Sequence, residues 1–290
     1  MNVSVQHLNH VYMPKTPLET HALRDVSFEV PNGSVTAVIG RTGSGKSTLV
    51  QHLNGLLKPT SGGAEVGGHR IHPKIKRKEI ASLRKQVGMV FQYPEHQLFE
   101  ETVEKDIMFG PLNLGYSREE VQEILPELLE KVGLEVSFLP RSPFDLSGGQ
   151  MRRTAIAGVL AMEPSLLILD EPTAGLDPQG RQDMLNLFEH WQQKNGTTII
   201  MITHQMEEAA ALADNVIVME NGRICMEGSP EEIYKREAEL TELDLDLPER
   251  TKVLQRIEAQ TGITFSSLSL SPEEALEEMK RHQPGRETDV

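Results

Sequence analysis

A glycine-rich segment at residues 40–47, GRTGSGKS, has the residue types and spacing of a phosphate-binding loop. It follows an apolar run typical of a strand and precedes the helix-like run STLVQHLNGLL, so its backbone N–H groups can turn toward phosphate oxygens beside a helix N-terminus. We predict that Lys46 reaches the β- and γ-phosphates of a nucleotide and that the Ser47 hydroxyl binds Mg²⁺. The predicted nucleotide contacts in this loop are Gly40, Arg41, Thr42, Gly43, Ser44, Gly45, Lys46, Ser47 and Thr48.

Two carboxylates at the end of another apolar run supply the second half of such a site. The run LLILDE, residues 166–171, is predicted to be a buried strand that carries Asp170 to its C-terminal end, the edge at which open α/β sheets bind ligands. There Asp170 would hold Mg²⁺, and Glu171 would polarise an attacking water as general base. Together with the loop at residues 40–47, this run indicates a nucleotide-hydrolysing site.

A second phosphate-binding element, LSGGQ, occupies residues 146–150 and precedes the helical run MRRTAIAGVLA. A serine and two glycines at a helix N-terminus form a nest of backbone N–H groups that suits phosphate. One chain thus carries two predicted phosphate sites. The predicted nucleotide contacts in the second are Ser147, Gly148, Gly149 and Gln150.

The elements that must position these motifs are short apolar strands alternating with helices. Near-continuous apolar runs, typical of parallel strands buried on both faces, lie at residues 34–40, 87–92, 165–170 and 197–204. Polarity alternates over residues 2–33, and Asn221-Gly222 separates two strand-like runs, so antiparallel strands and a hairpin are predicted there. Pro126 is predicted to kink or split its helix. Capping boxes predict three helix starts, at Ser117 with Glu120, Ser229 with Glu232 and Ser271 with Glu274.

Composition limits the class of protein. The chain has 290 residues and a formal net charge of −14, which argues against a nucleic-acid partner because broad nucleic-acid binding needs a basic surface. The one cysteine, Cys225, excludes an intrachain disulfide and fits a reducing compartment. No signal peptide or apolar membrane span is recognisable in the sequence. We therefore expect a cytosolic protein, either free or attached peripherally to a membrane.

The combined motifs resemble those of the nucleotide-binding subunit of an ABC transporter, over roughly residues 1 to 235. The resemblance implies that LSGGQ contacts the γ-phosphate bound by a partner subunit, so the working unit is a head-to-tail dimer around ATP and Mg²⁺. It also implies that Gln92 is a catalytic glutamine that touches Mg²⁺ and senses the γ-phosphate, and that His204 is the catalytic switch histidine. Residues 174–177, AGLD, resemble the loop that passes between subunits, and Tyr12 is placed like the aromatic residue that stacks on adenine.

Within that superfamily, the chain is most similar to the ATPases of energy-coupling factor transporters, in the segments FQYPEHQLFEETVEKDIMFGP and LSGGQMRRTAIAGVLAMEP. The wording YPEHQLF resembles the second, A-prime type of these ATPase subunits more than the first. This resemblance implies an importer of vitamins or metal ions at the cytoplasmic face of the cell membrane. Its parts are two ATPases, identical or different, a transmembrane coupling protein and a substrate-binding membrane protein. Leu98 and Phe99 would be exposed apolar anchors in a groove that receives a helix of the coupling protein. Burial in the core of a helical subdomain, of both residues or of one of the pair, is the alternative.

The resemblance also implies the fold: an α/β P-loop NTPase with a RecA-like core, an antiparallel β subdomain and an inserted α-helical subdomain at roughly residues 93–160. We place the ABC transporter nucleotide-binding domain at residues 1–240, because the composition becomes acidic and turn-rich near Leu240. Residues 241–290 resemble the short C-terminal helical extension of the family, which helps the ATPases to dimerise.

Three other functions are alternatives to that of an energy-coupling factor ATPase. An ABC ATPase acting on DNA or ribosomes is disfavoured by the acidic charge and by the single LSGGQ. A non-catalytic scaffold is disfavoured because Glu171 and His204 are both present. An ATPase of another ABC importer class, for amino acids or metals and with a regulatory tail, remains the alternative.

Overall fold

The protein, described by a computed structural model over residues 1–266 and 272–282, alternates strands and helices along most of the chain. The strands are β1 (Val3–Tyr12), β2 (Thr20–Val30), β3 (Val35–Ile39), β4 (Ser61–Val66), β5 (His69–Ile71), β6 (Val87–Val90), β7 (Leu166–Asp170), β8 (Thr198–Ile202), β9 (Asn215–Glu220) and β10 (Arg223–Gly228). The helices are α1 (Lys46–Leu53), α2 (Arg77–Arg84), α3 (Val103–Asn113), α4 (Arg118–Lys131), α5 (Gly148–Leu160), α6 (Pro178–Asn195), α7 (Met206–Leu212), α8 (Pro230–Tyr234), α9 (Glu237–Glu242), α10 (Glu249–Thr261) and α11 (Pro272–His282).

A six-stranded sheet, ordered β10-β9-β3-β8-β7-β6, positions the predicted motifs. Its strands are parallel except for β10, which pairs antiparallel with β9 at the edge. Every residue of β3, β6, β7 and β8 is buried, since one face packs on α3 to α6 and the other on α1 and a second sheet. The four predicted apolar strands are confirmed, with ends within two residues of those predicted.

The second sheet is antiparallel, with strand order β2-β1-β4-β5, and forms the predicted β subdomain. Its inward side chains, such as Leu8 and Val26, share a core with Leu49 of α1 and Val38 of β3. The predicted hairpin is also confirmed. Asn221 and Gly222 both have positive φ angles, 49° and 78°, as a two-residue turn between β9 and β10 requires.

An inserted helical subdomain lies between β6 and β7, as expected. It contains a short 3-10 helix, Pro94–Gln97, followed by α3, α4 and α5, whose apolar side chains share one core with the central sheet. Ser117 and Glu120 form the predicted capping box of α4, and Ser229 and Glu232 form that of α8. The third box includes Ser271, which lies outside the described residues. Pro126 does not split α4, which continues through it as one helix.

The chain beyond the β9-β10 hairpin packs in two parts. Leu240, Leu245 and Leu247 share a buried cluster with Tyr234 and other side chains of the main domain. A separate small cluster joins α10 to α11 and contains Leu254, Phe265 and Ala275. Residues 283–290 of the predicted extension lie outside the described part of the chain. In the described ranges, no helix is long and apolar enough to cross a membrane.

Candidate nucleotide-binding and hydrolysis site

The glycine-rich loop joins β3 to α1, and close backbone contacts fix its course. Gly40 has a φ of 144°, and a Cβ atom there would lie 2.2 Å from the carbonyl oxygen of Met219. Gly45 has a φ of 104° directly before α1, and a Cβ there would lie 2.6 Å from the carbonyl oxygen of Ala22. Glycine is therefore required at both ends of a loop that leads into the N-terminus of α1, where unpaired backbone N–H groups favour an anion.

Lys46 lies inside this loop. Its side chain is 6% exposed, and Nζ donates to the carbonyl oxygens of Gly40, at 2.7 Å, and Arg41, at 2.9 Å. Burial lowers the pKa of the Lys46 ammonium, while the nearby charges of Glu171 and Asp170 oppose the shift. The site thus holds a buried cation whose charge a polyphosphate would stabilise further.

Ser47 and Asp170 bring the loop and the end of β7 together. Ser47 Oγ lies 3.4 Å from Asp170 Oδ1. Burial raises the pKa of the Asp170 carboxyl; the hydrogen bond from Ser47 opposes this shift and the charge of Glu171 adds to it. A bound cation would offset the free-energy cost of burying the Asp170 charge. A hydroxyl and a carboxylate are the hard oxygen ligands that Mg²⁺ prefers. These two residues therefore fit a Mg²⁺ ion.

The three predicted catalytic side chains meet at Glu171. Gln92 Nε2 donates to Glu171 Oε2 at 3.0 Å, and His204 Nδ1 lies 3.4 Å from Glu171 Oε1. They follow three neighbouring strands, β6, β7 and β8, whose carboxyl ends share one edge of the sheet. Glu171 also has a left-handed φ of 49°, a conformation that costs of order 1 kcal/mol or more in a non-glycine residue and that clusters at functional sites. Both carboxylate oxygens of the proposed base are thus oriented by neighbours.

A buried carboxylate that the sequence did not single out lies behind this group. Glu208 of α7 is 1% exposed and accepts hydrogen bonds from the hydroxyls of Thr173 and Thr203, the latter at 2.6 Å. Thr173 follows Glu171 by two residues and Thr203 directly precedes His204, so Glu208 connects the two segments that carry predicted catalytic residues. The sequence offers only a weak hint, since Glu208 shares a side of α7 with apolar Leu212 while Glu207 is exposed.

Tyr12 lies beside the phosphate loop, as its predicted role requires. Its hydroxyl is 3.2 Å from Thr48 Oγ1, its side chain is 38% exposed, and the His10 ring packs against its edge with ring centroids 4.5 Å apart. His10 Nδ1 is in turn 3.0 Å from Nε2 of His52, a fully buried residue of α1. A pair of histidines therefore supports the aromatic ring from behind.

The LSGGQ segment is placed apart from the glycine-rich loop. Ser147 caps α5, with Oγ accepting from the Gln150 N–H at 3.4 Å and the Ser147 N–H donating to Gln150 Oε1 at 2.9 Å. Ser147, Gly148 and Gly149 are exposed, and a Cβ atom on either glycine would meet nothing within 4 Å. Among the described residues, no hydrogen bond or ion pair links residues 147–150 to residues 40–48 of the same chain.

Two predicted site residues are placed differently from expectation. The Arg41 side chain turns away from the loop, donating from Nε to the Leu243 carbonyl oxygen at 2.8 Å and pairing with Asp244. Leu98 is 8% exposed, so the prediction that it is an exposed anchor is wrong, whereas Phe99 is 57% exposed. The reason is local: Leu98 has extended backbone angles, so neighbouring side chains point to opposite sides, one inward and one outward.

The fold and the site define the nucleotide-binding cassette of an ABC transporter. The family model described as "ABC transporter" matches residues 23–174. Among solved structures, cbiO1 from Clostridium perfringens, part of the ABC transporter complex cbiONQ, has a TM-score of 0.74 at 36% identity, covering 90% of this chain and 95% of that one. The ATP-binding cassette MJ0796, a dimer bound to ADP and Pi, has a TM-score of 0.70 at 26% identity, covering 79% of this chain and 98% of that one.

Sequence comparison narrows the class. The chain is 52% identical to the energy-coupling factor transporter ATP-binding protein EcfA2 of Bacillus licheniformis, over 97% of both chains. It is also 52% identical to the protein of the same name from Lactiplantibacillus plantarum, over 94% of this chain and 92% of that one. The chain therefore belongs to the energy-coupling factor ATP-binding proteins of the ABC transporter family. It is accordingly an ATP-binding, ATP-hydrolysing transport ATPase.

Proposed function

We propose that the chain hydrolyses MgATP in a head-to-tail pair with a second ATPase of its family and so powers uptake of vitamins or metal ions. The pair would lie peripherally at the cytoplasmic face of the cell membrane. It would act through a transmembrane coupling protein and a substrate-binding membrane protein. The observation that carries the proposal is the Glu171 carboxylate, held between Gln92 and His204 at the end of the strand that also bears Asp170.

The chemistry follows from the positions of these groups. The N–H groups of the glycine-rich loop and Lys46 would bind the β- and γ-phosphates, and Tyr12 would stack on the adenine ring. Glu171 would orient the attacking water and take its proton, while Gln92 and His204 keep the carboxylate in place. Bound Mg²⁺, held by Ser47, Gln92 and Asp170, would neutralise charge on the phosphate oxygens.

The head-to-tail pair is favoured by the placement of LSGGQ. Ser147 and the two glycines after it are exposed at the N-terminus of α5, and within the described part of the chain they form no hydrogen bond or ion pair with the phosphate loop. Such a helix N-terminus favours an anion. A γ-phosphate presented by a second chain would satisfy it, and Gly148, Gly149 and Gln150 would then complete the partner's ATP site.

The coupling protein would dock on the helical subdomain around Phe99. The Phe99 ring packs edge-on against the 45% exposed ring of Phe109, with centroids 4.8 Å apart. The two rings form an exposed apolar patch, and helix-in-groove contacts use apolar anchors of this kind. Leu98, being buried, would support the patch from below.

We place the end of the nucleotide-binding domain after Leu247. Leu240 and Leu247 belong to the same buried cluster as Tyr234, so a boundary at Leu240 would cut through a core. The helices α10 and α11, joined by their own small cluster, would then form the C-terminal extension that supports dimerisation.

The Glu171→Gln variant tests this function. Membrane complexes are purified through a tag on this chain, their subunits are identified by mass spectrometry, and MgATP binding and turnover are measured. We expect binding to be retained and turnover to fall by ~10²- to 10⁴-fold, because the phosphate cradle survives while the water loses its base. The matched control, Glu123→Gln, changes an exposed carboxylate of α4 and should alter neither. Normal turnover by Glu171→Gln, or purification without membrane subunits, would refute the proposal.

A further inference from the structure

A buried arginine of α5 holds together three segments that the proposed mechanism treats separately. Arg152 is 3% exposed and forms a two-pronged ion pair with Glu95: Nε donates to Oε2 at 2.9 Å and Nη2 donates to Oε1 at 2.8 Å. Its third nitrogen, Nη1, donates to the carbonyl oxygen of Ala174 at 2.9 Å and lies 3.5 Å from that of Pro172. All three guanidinium nitrogens are thus engaged.

The segments that Arg152 contacts, and the helix that carries it, have different proposed roles. Glu95 lies in the 3-10 helix between Gln92, which contacts the proposed base, and Phe99 of the proposed docking patch. Pro172 directly follows Glu171, and Ala174 is the first residue of the segment expected to pass between subunits. Arg152 itself lies one turn into the helix that Ser147 caps. One side chain therefore links the docking segment, the interface loop and the helix that presents LSGGQ.

The ion pair between Arg152 and Glu95 is electrostatically stabilised. Burial raises the pKa of the Glu95 carboxyl, but the hydrogen bonds and the charge of Arg152, together with smaller contributions from a backbone N–H and from His96, outweigh burial, so the net pKa lies below the usual value. Removing one partner of such a buried pair leaves the other charge without compensation. The next residue, Arg153, provides a contrast, since it donates to the Val132 carbonyl oxygen and approaches Asp183 of α6 instead.

The backbone around the link is also restrained. Tyr93 has a left-handed φ of 55°, and its ring lies 6.0 Å from the Arg152 guanidinium carbon. A Cβ atom on Gly175, beside Ala174, would lie 3.4 Å from the same ring. The Tyr93 ring, two residues before Glu95, thus lies next to Gly175 and near the Arg152 guanidinium, so the segment before Glu95 and the loop after Glu171 approach each other close to the ion pair.

We propose that Arg152 and Glu95 form the coupling element that transmits binding of the membrane partner to LSGGQ and hence to the ATP site of the neighbouring chain. The inference rests on the proposed head-to-tail function. Docking at Phe99 would displace the 3-10 helix, Glu95 would move Arg152 with it, and α5 would carry Ser147 toward or away from the partner's γ-phosphate. Both residues would act through others and lie outside the predicted nucleotide contacts, so they are positioning residues.

The test compares hydrolysis in two settings. Turnover of MgATP is measured for the isolated full-length chain and for the complete membrane complex, and the ratio of the two gives the stimulation by the membrane partner. Arg152→Lys keeps the charge but loses the two-pronged geometry, and Glu95→Gln keeps the shape but loses the charge. We expect each to reduce the stimulation ratio by about fivefold or more, the lower range of typical coupling between sites. The KM for MgATP should change less than about twofold, because neither residue contacts the phosphate loop.

The controls separate coupling from folding and from the function itself. Glu127→Gln breaks an exposed ion-pair cluster with Lys131 and Lys194 and should leave the ratio unchanged. Only complexes that elute at the size of the intact assembly are assayed. If Arg152→Lys fails to assemble, the stimulation ratio of Glu95→Gln alone tests the coupling proposal. An unchanged ratio in an assembled variant, or an equal fall of both turnover rates, overturns the coupling proposal. Absence of stimulated hydrolysis in the parent complex would instead refute the proposed function.

Discussion

The Thr203 hydroxyl donates a hydrogen bond to Glu208 at 2.6 Å, which places a buried carboxylate directly behind His204, the predicted switch histidine. Thr173 donates to the other oxygen of the same carboxylate. Because the hydroxyl groups flank the segments of Glu171 and His204, the spacing of those two side chains depends on Glu208. A residue with no access to solvent or nucleotide thus helps to set the geometry of the base.

Replacing Glu208 should therefore lower turnover without weakening binding. Glu208→Ala leaves two buried hydroxyls without acceptors, and the resulting shift of Glu171 should reduce kcat by ~10- to 100-fold while the KM for MgATP stays within about twofold. Glu208→Gln, which still offers an acceptor, should recover most of the loss. Kinetics of assembled complexes provide the measurement, with Glu207→Ala, its exposed neighbour, as control. A raised KM with unchanged kcat would assign Glu208 to binding instead.

The buried histidine pair predicts loss of stability in acid. Burial, with a smaller contribution from the adjacent His10, lowers the pKa of His52 from 6.5 to about 4, against the opposing effect of hydrogen bonds to backbone carbonyl oxygens. In the unfolded chain His52 binds a proton near pH 6.5, whereas in the folded chain it stays neutral until about pH 4. The contribution of neutral His52 to the free energy of unfolding is therefore complete above pH 6.5 and declines as pH falls toward about 4. Urea unfolding should show roughly 2 to 3 kcal/mol lost from this source by about pH 4.5.

The matched variant for this prediction is His52→Gln, which cannot titrate. Its stability should be lower than that of the parent at neutral pH, because the ring contacts with His10 are lost. The difference between the two proteins should then narrow as pH falls below 6.5. Parallel pH profiles for the two proteins would show that His52 is not the source.

Burial of the Asp170 charge should lower the stability of the cation-free fold, although hydrolysis is expected to require that charge. Its pKa is raised above the ordinary 3.8, mainly by burial, so the charged form destabilises the fold in the absence of a cation. Asp170→Asn should raise the melting temperature of the nucleotide-free, magnesium-free protein by a few degrees at pH 7.5 and abolish hydrolysis. The gain in melting temperature should decline as pH falls and vanish below 3.8, where the aspartate is mostly neutral in both the folded and the unfolded state. An equal or lower melting temperature at neutral pH would contradict this.

Local sequence patterns predicted much of this site, and tertiary contacts account for the rest. The loop at residues 40–47 and the apolar strands were recognisable because their signals lie within a few consecutive residues. The Thr173–Glu208 and Glu95–Arg152 pairs join residues 35 and 57 positions apart, and no local pattern marks either pair. The burial of Leu98 has a different, local origin, since the extended backbone directly after the 3-10 helix decides which of two adjacent apolar residues faces inward.

That difference between Leu98 and Phe99 can be tested directly. Phe99→Asp places a charge on an exposed apolar patch, so the chain should fold, bind ATP and lose the membrane partner in pull-downs; truncating such anchors commonly costs ~2 kcal/mol or more, over tenfold in affinity. Leu98→Asp buries a charge and should instead lower the melting temperature or abolish folding. If Phe99→Asp retains the membrane partner, the docking surface lies elsewhere.

The head-to-tail sharing of each ATP is the central claim, and photolabelling of a Ser147→Arg complex tests it most directly. Radioactive 8-azido-ATP labels the chain whose phosphate loop holds the nucleotide, and the two ATPases are separated by size or by tag. Arginine at position 147 should block closure on the partner's nucleotide, so trapped label should be lost from the partner chain and retained on the chain that carries the substitution. Loss of label from the substituted chain alone, with normal labelling of its partner, would contradict the account.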